Sequence, residues 1–144
     1  MKWFNSWQFF AFCSALFAGL TAFFGKIGVA SINSNQATFI RTAIVLGMAA
    51  IILFCSNQWQ RPQTISGKTW LFLVLSGIAT GLSWLCYYRA LQLGPVSKVA
   101  AMDKLSVIIA IILGVVFLAE RLSWQVVLGG SLITVGTVLI AVLN

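Results

Sequence analysis

Asp103 is one of only two acidic residues in the chain, and it lies in an otherwise apolar run. Lys104 follows it directly and Ser106 stands three residues on. A carboxylate, an ammonium and a hydroxyl so placed can hold an ion pair, bind a polar solute or carry a proton. Four further cations lie in or at the ends of apolar runs: Lys26, Arg41, Arg89 and Lys98. Charge inside a segment greasy enough to cross a bilayer is costly and by default points to function. Lys26, Arg89 and Lys98 sit near run ends, where long side chains reach the headgroups. Arg41 is about one turn inside its run. Asp103 lies about 12 Å beyond Pro95 at 1.5 Å per residue, and its short stem cannot reach far. It must be paired, protonated or facing water. Two roles stand open for it: a buried ion pair holding helices together, or a substrate or coupling group. Its partner could be Lys26, Arg41 or a residue of a second subunit; Lys104, about 100° around the helix, need not be it. Asp103, Ser106, Ala110 and Gly114 share one helical face.

The elements that position these residues follow from composition. Of the 144 residues, 60% are hydrophobic and 8% charged, against about 25% charged in a soluble domain. Too little polar surface remains to cover a water-soluble globule. Net charge is +7, but Lys2, Arg61, Lys68 and Arg121 flank apolar runs and read as topology signals rather than as a nucleic-acid surface. The chain has no histidine, and its three cysteines have no CxxC pairing. A zinc site or disulfide framework is not expected, nor any cofactor. With the two acids most of a helix apart, no catalytic constellation is present and no enzyme is expected.

Five apolar runs are each close to the roughly 20 residues a helix needs to span the hydrocarbon core. They predict an all-α integral membrane protein: a bundle of five transmembrane helices in one membrane domain over 1–144, with helices at about 7–26, 37–55, 69–92, 96–118 and 123–143. The first run is too long for the roughly 7–15 residues of a signal-peptide core. A β-barrel is disfavoured by the lack of alternation. The connections are short; the longest, Ser56–Lys68, contains Pro62 and Gly67. Small residues recur at helical spacing: Ala11, Ala15 and Gly19; Ser14, Ala18 and Ala22; Gly77 and Gly81; Gly129, Gly130, Thr134 and Gly136. Such rows let helices approach closely in lipid.

Loop charge sets orientation. Lys2, Arg61, Lys68 and Arg121 fall on the side where the chain starts, which favours a cytoplasmic N-terminus. Lys26, Arg41, Arg89 and Lys98 lie near the other side. Counting them makes the bias nearly even and allows insertion in both orientations.

The order of landmarks resembles an EamA repeat of the drug/metabolite transporter superfamily. Tyr88-x-Ala90-Leu91 is followed by Gly94-Pro95-Val96-Ser97. An apolar helix then ends in Leu118-Ala119-Glu120-Arg121-Leu122, and a glycine-rich helix follows with Gly129, Gly130 and Gly136. Gly25-Lys26 and Phe39-Ile40-Arg41 fit the earlier part. The resemblance implies a five-helix half-transporter, since most members carry two such repeats of opposite topology around a central path. One repeat encloses no path, so a homodimer is implied, antiparallel in the superfamily's small multidrug exporters. Those exporters use a glutamate in their first helix, where this chain has no acid.

The expected function is therefore transport of a small organic metabolite by alternating access, in a bacterial inner membrane. The expected site is Asp103, Lys104, Ser106, Arg41 and Lys26, with Trp84 and Tyr88 beside the path and Asp103 as the proton-coupling group. Trp84, Tyr87 and Tyr88 also suit an interfacial aromatic belt. The cationic balance favours an anionic or zwitterionic solute. The alternative is a membrane subunit that does not transport and instead stabilises or regulates a partner.

Overall fold

A computed structural model describes residues 6–142. Six helices follow in order: α1 (Trp7–Gly28), α2 (Ser34–Cys55), α3 (Gly67–Leu93), α4 (Val96–Asp103), α5 (Leu105–Leu118) and α6 (Trp124–Val142). No strand occurs among the described residues. In lipid, every backbone donor and acceptor must be met within the segment, which selects helix. With Val96–Leu118 counted as one span, five segments are long and apolar enough to cross a membrane. Lys2 and Leu143, a topology charge and the expected end of the last helix, lie outside the described residues.

The chain divides into two compact units. The first comprises α2 and α3, within Gly28–Gln92. Asn33 caps α2: its side-chain oxygen accepts from the Asn35 N–H at 2.8 Å, using a donor the helix start leaves free. Inside α2, the Thr38 and Thr42 hydroxyls donate to the Ser34 and Thr38 carbonyls at 2.9 and 2.7 Å, so neither needs water. Ser56 caps the C-terminus of α2, and Asn57 turns the chain with φ 54°, a left-handed conformation asparagine tolerates. Trp59 then stacks on Phe54, centroids 5.4 Å apart. A 3₁₀ turn at Pro62–Thr64 leads to Ser66, whose hydroxyl accepts from the Thr69 N–H at 3.2 Å and opens α3.

The second unit holds α1 and α4–α6. Pro95, with φ −67° and ψ 143°, starts α4. The apolar run over 96–118 is expected to be one helix, but it is interrupted at Lys104. There the N–H of Lys104 donates to Ala101 O at 3.0 Å and that of Val107 to Lys104 O at 3.1 Å, a 3₁₀-type tightening. Thr137 of α6 supports the turn, donating to the same Ala101 carbonyl at 3.2 Å. α6 packs along both α4 and α5. Gly130 allows that approach: a Cβ there would lie 3.3 Å from Ile108 Cδ1. A Cβ at Gly77, Gly81, Gly129 or Gly136 would meet nothing within 4 Å, so of the glycine-rich row in α6 it is Gly130 that makes the close contact.

Candidate solute-binding and coupling residues

α4 and α5 place Asp103 and Lys104 at the turn between them. The Lys104 ammonium is 3.8 Å from the Asp103 carboxylate. The Asp103 side chain is 42% exposed and that of Lys104 54%. The pair is therefore loose and open, although it lies seven residues into a membrane-length segment. Lys104, which needed no role as partner by helical geometry, supplies the ion pair because the turn brings adjacent side chains together. Ser106 and Ala110 are exposed on the same stretch, and Gly114 is buried.

Glu120 covers Gly114. Ala119 adopts φ 53°, ψ 32°, which turns the chain back, and the Glu120 N–H donates to Gly114 O at 3.2 Å. Its carboxylate lies 2.8 Å from where a Gly114 Cβ would stand. A groove along Val107, Ala110, Gly114 and Phe117 ends at this acid. Arg121 is exposed beyond it. Lys26, at the end of α1, donates to the Gly94 carbonyl at 2.8 Å. That oxygen follows the last residue of α3, where carbonyls lose their helical partners.

The other unit gathers three expected residues. The Arg41 guanidinium lies 3.9 Å from the Trp84 ring centroid and 5.6 Å from that of Tyr88. Trp84 and Tyr88 are four residues apart on α3, hence on one face. Arg89, exposed near the end of α3, donates to Gln92 Oε1 at 3.1 Å. Gln92, which carries no charge to draw attention, donates to Val29 O and Ile32 O at 3.1 and 2.7 Å and so fixes the α1–α2 connection to the end of α3. Among the described residues, no group of three histidine, cysteine or acidic side chains could hold a metal ion.

The chain is 54% identical over 138 residues to a Sinorhizobium sp protein named "Uncharacterized transporter in cobO 3'region". The match covers 96% of this chain and 98% of that protein. No solved structure gives a significant match. The model of the EamA-like transporter family matches residues 5–142. With its helices in order, the chain belongs to the EamA-like transporter family and is a multi-pass membrane protein of the transport class.

Proposed function

We propose that the chain is a secondary transporter of a small organic metabolite, working as a homodimer by alternating access in a bacterial inner membrane, with Asp103 as its coupling group. The observation that carries this is the open Asp103–Lys104 pair at the turn between α4 and α5. Hydrocarbon cannot solvate two charges with about half of each side chain uncovered. A water-filled path or a second copy would cover them. Interrupted helices with ionisable groups at the interruption are a recurring way to build transport sites. The homodimer has further support in the relative, 98% of which is taken up by the match. That leaves no room there for a second repeat.

The test is gradient-driven flux in proteoliposomes over a panel of amino acids and organic acids. The expected outcome is saturable flux in the wild type and a loss of tenfold or more in Asp103→Asn, with the dimer intact. Absence of flux for the whole panel from intact dimers would sink the proposal. A subunit without transport of its own predicts a different pattern, in which Asp103→Asn disturbs assembly rather than turnover.

A further inference from the structure

Arg41 is a second charge inside a membrane-length helix. It lies seven residues after Ser34, about 10 Å along α2. The guanidinium carbon lies over the Trp84 ring, 3.9 Å from its centroid, and a cation set over a ring face can leave the five N–H donors at its edge available. Arg41 makes no hydrogen bond or ion pair with any described residue. No side-chain nitrogen or oxygen among the described residues is both buried and without a partner, so these donors are not sealed inside the protein. Tyr88 is 95% buried, being 5% exposed, yet its hydroxyl also bonds to no described residue and is not sealed in. One unit thus brings together a fixed, planar, permanently charged donor and an unused phenol. Lipid tails offer neither an acceptor.

We infer that Arg41, oriented by Trp84 and assisted by Tyr88, binds an oxyanion of the solute, so that the transported molecule is a carboxylic acid or a zwitterion. This rests on the transport function proposed above. The fork of the guanidinium matches a carboxylate by two parallel N–H···O bonds, which a lysine in its place could not make. The same chemistry could be supplied by the phosphate of a lipid headgroup, and the test separates the two sources.

The full chain is placed in phosphatidylcholine nanodiscs and treated with phenylglyoxal, which adds to guanidinium groups. Modification of each arginine is followed by mass spectrometry. Acetate, succinate and benzoate at millimolar concentration are the probes, with chloride as control. Arg41 is expected to react, and at least one carboxylate to slow its reaction tenfold or more while Arg61, in the α2–α3 loop, is unaffected. Trp84→Leu is expected to weaken that protection about three- to tenfold, the range for losing a cation–π contact. An Arg41 that does not react, or that reacts unprotected by all three acids, overturns the inference. Protection by added phosphatidylglycerol without any acid assigns the oxyanion to lipid and overturns it equally. Labelling requires no flux, so a failed flux assay with protection intact would remove the transport function and leave the anion site standing.

Discussion

Gln92 ties chain segments 60 and 63 residues apart through one amide. Its NH₂ serves two carbonyls of the α1–α2 connection, and its oxygen holds Arg89. Val29 beside it is 1% exposed, so water cannot readily replace the bond. Gln92→Leu leaves those acceptors unmet and is expected to cost about 1–3 kcal/mol. A lower melting temperature in fluorescence-detected size-exclusion would report it, and Gln92→Glu, which keeps one acceptor but loses both donors, should not rescue. The charged candidates were legible in the sequence because Asp103 and Arg41 stand out against an apolar background. Gln92 was not, since a neutral amide near a helix end fits any surface and its partners are set only by tertiary approach. The Arg41 stack lies between these cases. Each of its three residues was singled out, but not the 3.9 Å approach that joins two of them.

At the scale of elements, helix existence follows from apolar length, while the interruption at Lys104 does not. No glycine or proline marks it, and Lys104 itself keeps right-handed angles, φ −68° and ψ −11°. The Ala101 carbonyl there accepts from Thr137, 36 residues away, and a helix loosens where a side chain competes for its backbone acceptors. The end of α5 shows a local strain instead. Ala119 is left-handed, a conformation that costs an L-residue with a Cβ about 1–2 kcal/mol and that glycine adopts freely. Ala119→Gly is therefore expected to stabilise by about 1 kcal/mol. A raised melting temperature with unchanged oligomeric state would bear this out, and a lowered one would show that the turn is not strained. The gain is a net one, because glycine also gives the unfolded chain more freedom to lose.

For the whole molecule, the question is how a one-repeat chain sits in the bilayer. Four cations favour the starting side as cytoplasmic: Lys2, Arg61, Lys68 and Arg121. Four lie toward the other: Lys26, Arg41, Arg89 and Lys98. Their weights differ. Arg61 lies in the α2–α3 loop and Lys68 in the first turn of α3, where flanking charge counts fully. Lys26, by contrast, is engaged with the Gly94 carbonyl, and Arg41 with Trp84. Even with those two discounted, the starting side leads by only four cations to two, and a bias of that size should give a mixture of orientations, which an antiparallel homodimer requires. The measurement is single-cysteine labelling at Gln60 and at Ser31, both exposed loop positions, in a background lacking Cys13, Cys55 and Cys86. Each site is expected to react with an impermeant maleimide from both sides of the membrane. Arg61→Gln with Lys68→Gln lowers the count on the starting side from four cations to two and should shift the mixture markedly toward the reversed orientation. If wild type labels from one side only, an antiparallel pair cannot form. The second copy would then have to lie parallel, with the two Asp103–Lys104 turns related by an axis along the membrane normal.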